Sequence, residues 1–353
     1  MTASVSKCAS DDLVRACYSA GEDLNSLRHR LLHTLQGVVP FDAAFIAAAD
    51  PETLLFTSAF ADDALIASGP LFLDNEFGAH RDVNRFVDLA RAADPVASLD
   101  QVSNGARATS ARWRDIMGPL GMGDELRVAL RVHGTVWGFL CLHRSGPTGF
   151  SAKELAAFRK IAPHASEAIR RTVTITADAL ANRATEAVIL VTDHIVIAVG
   201  GAIDEIETAG PLGVGDPLPL PLAAVVRRLE AIERDGDILD ARPAAIRITT
   251  RNGTLVAVHA ARLRDATGTG PIVLTIAPAT SPERSSLLLA VHGLTPAQRR
   301  VANLVLQGRT TNQIVITLGI STHTVQDHLK IVFDKIGVRS RRELVSALMH
   351  PTD

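Results

Sequence analysis

The side chains best placed for chemistry in this 353-residue chain lie near its C-terminal end. His323, Asp327 and Lys330 recur at spacings of three and four, so a helix carries them on one face, with Gln326 at its margin and Ile331 and Asp334 beside them. Val325, Leu329, Val332, Phe333 and Ile336 fall on the opposite face. A helix with one apolar stripe and an exposed set of amide, carboxylate and ammonium groups can lie in the major groove of duplex DNA, where such groups meet base edges. Catalytic patterns are not found: the chain has no H-E-x-x-H, no G-x-S-x-G and no phosphate-binding glycine loop, and residues 210–215 are too loosely spaced to form one. The expectation is a protein that is not an enzyme and needs no cofactor.

Short helices must hold that face in place, and the sequence marks their ends. Thr295 precedes Pro296 and Gln298, Thr310 precedes Gln313, and Ser340 precedes Glu343. Each places a hydroxyl at a helix N-cap and an amide or carboxylate three residues on, satisfying two orphan backbone N–H groups reciprocally. Each cap contributes about 1 kcal/mol, a large share in a domain of this size. Gly308 and Gly319 follow the first two helices, where a left-handed C-cap is needed. Gly319-Ile320-Ser321 is then the short glycine-containing turn of a helix-turn-helix, with Ser321 capping the next helix.

Across residues 292–350 the segment resembles the four-helix LuxR-type (GerE-like) DNA-binding domain. The matching residues are Leu294-Thr295-Pro296, Val301, Gly308, Ile314, Leu318-Gly319-Ile320-Ser321, Thr324-Val325, His328-Leu329, Phe333, Lys335, Gly337 to Arg341, and Leu344. The resemblance implies base reading by Gln326, Asp327 and Lys330, with His323 on the same face. It implies phosphate contacts at Thr310, Thr311, Ser321, Thr324 and Lys335. Gln298 and Gln313 stand where the family usually has Glu, and either type can accept from the N-cap N–H. Asp327 has two readings: a solvated surface charge, or an acceptor for cytosine N4.

Charge agrees with this placement. Residues 292–353 hold eight Lys/Arg against four Asp/Glu, or +4, while the remainder holds 28 against 34, or −6. A basic end on an acidic body fits a nucleic-acid-binding unit joined to one with another task. Cys8, Cys17 and Cys141 make no C-x-x-C pair, which argues against a disulfide framework or thiolate metal site. With no membrane-length apolar run and no signal-peptide pattern at the start, a cytoplasmic location is expected.

The rest of the chain is expected to form two further units, giving a multidomain protein. Residues 1–172 show a long helix, strands at 43–49 and 54–60, a largely helical stretch at 62–118, a hairpin at 124–143 turning at His133-Gly134, and a helix from Ser151 to about Arg171. That order resembles the GAF domain, an α/β sensor of small molecules or signals. Residues 173–278 read as strands at 186–192 and 195–199, helices at 203–208 and 223–234, and three strands at 245–250, 255–263 and 272–277, with Asn252-Gly253 as a tight turn. This α+β order resembles a PAS-type domain. Residues 279–291, rich in Pro and Ser, read as a linker, leaving 292–353 as the all-α DNA-binding domain. Trp113, Trp137, Cys141 and His143 are the residues offered for a ligand pocket, against a core-packing role for each.

The resemblance implies a regulator that binds double-stranded DNA as a homodimer, contacts RNA polymerase and answers an unidentified small-molecule or protein signal. A sigma-factor-like or polymerase-docking protein would need an aromatic, basic melting region, and aromatic content is only 4%. A signal-binding protein using its helical end for protein contacts is the third reading.

Overall fold

The computed structural model describes residues 14–15, 17–18, 23–78, 82–178, 186–203, 206, 212–235, 242–250, 254–264 and 270–349. Helix α1 (Leu24–Gln36) starts at Asp23, whose carboxylate accepts from the Asn25 and Ser26 N–H groups, and it buries Leu27, Leu31 and Leu35. Strands β1 (Ala43–Ala49), β2 (Phe56–Ala61), β3 (Val96–Ser98), β4 (Met122–Val132) and β5 (Thr135–Ser145) form one antiparallel sheet in the order β2-β1-β5-β4-β3. Helix α6 (Ala152–Asp178) packs beside α1 on one face of that sheet. It opens on the expected capping box: the Ser151 N–H donates to Glu154 Oε2 and the Glu154 N–H to Ser151 Oγ. It continues past Arg171 and contains Pro163.

The other face is covered by α2 (Asp63–Ile66), α3 (Gly69–Phe77), α4 (Phe86–Arg91) and α5 (Leu99–Val102). Here the expected helical stretch is broken by β3, where Val96 pairs with Val128. A three-residue strand leaves almost no alternating pattern to read. Phe45, Phe56, Phe86 and Phe139 pack as stacked and edge-on rings in this layer.

The β4–β5 hairpin turns where expected. His133 and Gly134 both have positive φ (51° and 73°), the requirement of a primed two-residue turn. Close to it Leu130 pairs with Gly138 and Arg131 with Val136, so Trp137 is an unpaired bulge residue. The bulge reverses the alternation. Trp137 joins Leu140 and Leu142 beneath α1 and α6, whereas Val136, Phe139 and Cys141 face the phenylalanine layer.

The second unit repeats the strand order. Strands β6 (Ala187–Thr192), β7 (Ile195–Gly201), β8 (Ala245–Thr249), β9 (Leu255–Arg262) and β10 (Ile272–Pro278) run β7-β6-β10-β9-β8, all antiparallel. Helix α7 (Leu220–Asp235) packs on β9 and also on α3 and β2, so it serves both sheets. The expected helix at 203–208 and the Asn252-Gly253 turn fall mostly or wholly outside the described residues.

The expected linker at 279–291 is instead helix α8 (Ser281–Val291). Thr280 caps it reciprocally with Glu283, and Leu287, Leu289 and Val291 are buried. The Pro and Ser content suggested a loop, but Pro282 lies in the first turn, where its missing N–H costs nothing. Four helices follow: α9 (Pro296–Leu306), α10 (Thr311–Leu318), α11 (Thr322–Ile336) and α12 (Arg341–Met349). Their core joins Leu294, Val301, Val305, Ile314, Val325, Leu329, Val332, Leu344 and Leu348.

Candidate nucleic-acid interface

Caps fix each helix of this end. In both the Thr295–Gln298 and Thr310–Gln313 pairs the glutamine N–H donates to the threonine hydroxyl, and the threonine N–H donates back to the glutamine carbonyl oxygen. Glutamine therefore replaces glutamate without loss of the box. At α12 the Glu343 N–H reaches Ser340 Oγ, but the returning carboxylate accepts from the Arg339 N–H, one residue before the expected donor. Gly319 closes α10 in the left-handed region (φ 64°), and Ser321 accepts from the Thr324 N–H at 3.1 Å to start α11.

Helix α11 buries Val325, Leu329 and Val332 and presents His323, Gln326, Asp327 and Lys330 to solvent. The four sequence-predicted reading residues thus share one exposed face. Asp327 Oδ2 lies 3.6 Å from His323 Nε2. Ile331, also exposed, sits beside them and offers the apolar contact that suits a thymine methyl.

The expected phosphate-contact residues divide. Thr310 and Ser321 are exposed at the starts of α10 and α11, Thr311 and Thr324 are half-buried there, and the Ser321 and Thr324 hydroxyls lie 2.9 Å apart. Lys335 is committed elsewhere: its ammonium donates to the Gly293 carbonyl at 2.7 Å and to Gln298 Oε1 at 3.3 Å, bracing the start of α9. Sequence reasoning passed over Arg341. Its guanidinium donates to the Arg309 carbonyl and to Thr311 Oγ1, tying α12 to the start of α10. The Thr311 hydroxyl accepts that bond, which leaves its own proton free for a phosphate oxygen.

Of the four residues offered for a ligand pocket, only Cys141 and His143 are brought together. Trp137 is buried on the α1–α6 side of the sheet, separated by its own bulge from Cys141 and His143. Trp113 packs in a small cluster with Leu99, Met117 and Met122, its indole N–H donating to the Gly123 carbonyl. An apolar crevice between α1, α6 and the sheet is lined by Leu31, Leu35, Ile46, Phe158 and Ile161, and by none of the four.

Cys141 and His143 belong to a buried charge network that the sequence did not announce. Arg112 Nε donates to Glu125 Oε2 at 2.8 Å, and Arg127 Nε lies 3.0 Å from Glu125 Oε1. Arg127 also bonds Glu76 and stacks 4.5 Å over the Phe86 ring. The Cys141 thiol reaches Glu125 Oε1 (3.1 Å), and His143 Nε2 lies 3.3 Å from its sulfur. Burial pushes the Cys141 thiol well up, and Glu125 pushes it further, so the thiol keeps its proton. Burial lowers His143 to about 4, leaving it neutral. Burial works against the Glu125 charge, yet the two guanidinium groups hold its carboxyl well below the usual range.

Glu125, Cys141 and His143 bring potential metal-ligand atoms within 4.8 Å of one another. The donor set fits a cation poorly. Both Glu125 oxygens face guanidinium groups, and His143 Nδ1 has no hydrogen-bond acceptor to orient it. The cluster is a guanidinium–carboxylate brace that ties β4 to Glu76 of α3 and to Arg112, with Cys141 and His143 of β5 beside it.

Comparison with known proteins agrees with both ends of the chain. The model described as "Bacterial regulatory proteins, luxR family" matches residues 292–348, and that of the GAF domain matches residues 23–169. Spore germination protein GerE of Bacillus subtilis is 38% identical over 56 residues, covering 16% of this chain and 76% of that protein. A putative HTH-type transcriptional regulator of Aeromonas salmonicida is 40% identical over 57 residues, but the chain spans only 29% of its length. A solved VqmA–ligand–DNA complex of Vibrio cholera is 19% identical, over 35% of this chain and 62% of that one, with a TM-score of 0.20, too low to carry an argument. The capped four-helix end and the GerE match together place the chain in the LuxR family of bacterial regulatory proteins, with a GAF domain ahead of its helix-turn-helix.

Proposed function

We propose that this chain is a transcription regulator that reads a specific DNA sequence with α11, as a homodimer whose GAF and second units govern binding. The observation that carries this is the placement of Gln326, Asp327 and Lys330, exposed together on a helix that Gly319 and Ser321 set one tight turn after α10. A twofold pair of such helices fits a pseudo-palindromic site with half-sites about one helical turn, ~34 Å, apart. The second unit, with its 2-1-5-4-3 strand order, acts as a PAS-type module. The signal is a small molecule or a protein that acts on the GAF or the second unit, and RNA polymerase is the partner on the promoter. No chemistry is catalysed. A cytoplasmic location follows from DNA as target, and no described helix is long and apolar enough to cross a membrane.

Selection from random duplexes with the purified full chain tests the reading. Enrichment of a motif with related half-sites is expected. Absence of any enriched sequence would favour the alternative in which the helical end serves protein contacts.

A further inference from the structure

One end of the GAF sheet is docked against the DNA-binding unit, and a buried ion pair sits at the junction. Arg247, on β8 of the second unit, donates from Nε and from its backbone N–H to Asp50 Oδ2, at 2.8 and 3.0 Å, and from a guanidinium nitrogen to Oδ1 at 2.5 Å. Asp50 belongs to the β1–β2 turn of the GAF unit. The other terminal nitrogen of Arg247 donates to the Glu283 carbonyl in the first turn of α8, at 2.9 Å. One guanidinium therefore joins the GAF unit, the second unit and the helix that leads into the DNA-binding end. Burial disfavours the Asp50 charge, but Arg247 holds its carboxyl below the ordinary range.

Weaker ties surround this pair. The Ser286 hydroxyl of α8 donates to Glu52 Oε2 at 2.8 Å, and His259 of β9 pairs with Glu283 at 2.9 Å. At the tip of the β4–β5 hairpin Gly134 packs on the Pro296 ring, His133 lies against Gly293, and Thr135 Oγ1 accepts from Arg299. Arg170 of α6 donates to the Val291 carbonyl. Helix α8 in turn packs on α9 and α12, with the Ser285 hydroxyl donating to the Leu348 carbonyl at 2.9 Å.

We propose that the Asp50–Arg247 pair is a latch that restrains the DNA-binding unit and lowers its affinity for DNA until the GAF and second units separate. Docking engages the basic Arg299, whose guanidinium donates to Thr135 Oγ1, and burial lowers its proton affinity. It also holds a +4 unit against a −6 body, with Glu52 at the junction. An acidic body held beside the basic unit opposes the approach of a DNA backbone, which needs counter-charge. The inhibitory part of this inference rests on the DNA-binding reading above.

The test uses the full chain. Asp50→Leu with Arg247→Met removes both buried charges together, a change that cores tolerate far better than loss of one partner. Ser286→Glu is the second variant: it sets a carboxylate against Glu52, which lies 3.2 Å from Arg247, and so loads the same junction without deleting either member of the pair. Both variants are expected to speed amide exchange of α8 and of residues 292–294 by about tenfold or more, while residues 126–129 in the GAF sheet stay protected. Both are expected to bind the selected operator at least about fivefold tighter than the parent. Unchanged α8 exchange in both variants, or operator affinity that stays level or falls, would overturn the latch. Failure to select any operator would instead overturn the DNA-binding reading, and α8 exchange would still decide whether the latch holds the docking.

Discussion

The Asp327 carboxylate lies 3.6 Å from the His323 imidazole, one turn apart on the exposed face of α11. The imidazole gives the carboxylate a neighbour that does not repel it, on a surface otherwise suited to meet phosphates. An acceptor held there can take the N4 amino protons of cytosine. Asp327→Asn replaces it with the amide that pairs with adenine N6 and N7, so random-site selection with the variant should exchange a preferred cytosine for adenine at one position of each half-site. Identical motifs for parent and variant would mark Asp327 as a solvated surface charge.

Lys330→Ala should weaken binding to the selected site by about 1–3 kcal/mol and relax preference at one base pair. Fluorescence anisotropy at fixed salt measures this, with a scrambled duplex as reference. An equal loss on both duplexes would move Lys330 from base reading to phosphate contact.

Thr310 caps α10 by accepting from the Gln313 N–H. Thr310→Ala should destabilise the DNA-binding unit by about 1 kcal/mol, and Thr310→Ser should restore most of that. Urea unfolding followed by α11 amide exchange reports the difference. Equal stability of parent and alanine variant would show that the cap contributes nothing.

Burial holds His143 at about 4 in the folded chain, below its ordinary 6.5. The unfolded chain therefore takes up this proton first as pH falls. The stability that the neutral imidazole contributes is fully present above pH 6.5 and is lost on going down towards pH 4, at up to about 1.4 kcal/mol per pH unit. Denaturant titrations of the GAF unit between pH 7 and 4 should show a steeper fall for the parent than for His143→Gln. Parallel profiles would contradict the buried, neutral assignment.

The bulge makes Trp137 a core residue of the α1–α6 side. Trp137→Ala should cost about 3–5 kcal/mol, as large cavities do, while leaving operator preference intact. A loss well under 1 kcal/mol would mean that the ring is not packed as described.

The sequence carried the C-terminal unit almost residue by residue because its signals are local. A cap and its partner lie three residues apart, and an apolar stripe repeats every turn. The β4–β5 hairpin was legible for the same reason, since His133-Gly134 sits between two alternating runs. Other features depend on partners far along the chain. Nothing near Trp137 announces a bulge, so its side appeared to match that of Cys141 and His143. The Arg112–Glu125–Arg127 brace joins β4 to a residue thirteen positions earlier and to Glu76 of α3, and Arg247 meets Asp50 across 197 positions. Helix α8 shows a different failure. Its Thr280–Glu283 capping box was in plain view, but the weight of Pro and Ser hid it. Lys335 matched the family by position, yet only the packing of α9 reveals that its ammonium is already engaged.

Base reading by α11 is what makes the chain a sequence-specific regulator. The most direct measurement is site selection from random duplexes with the full chain and its Lys330→Ala variant in parallel. A two-half-site motif is expected for the parent and, for the variant, the same spacing with one base pair per half-site degenerate. No enriched motif for the parent, or an unaltered motif for the variant accompanied by unaltered affinity, would contradict it.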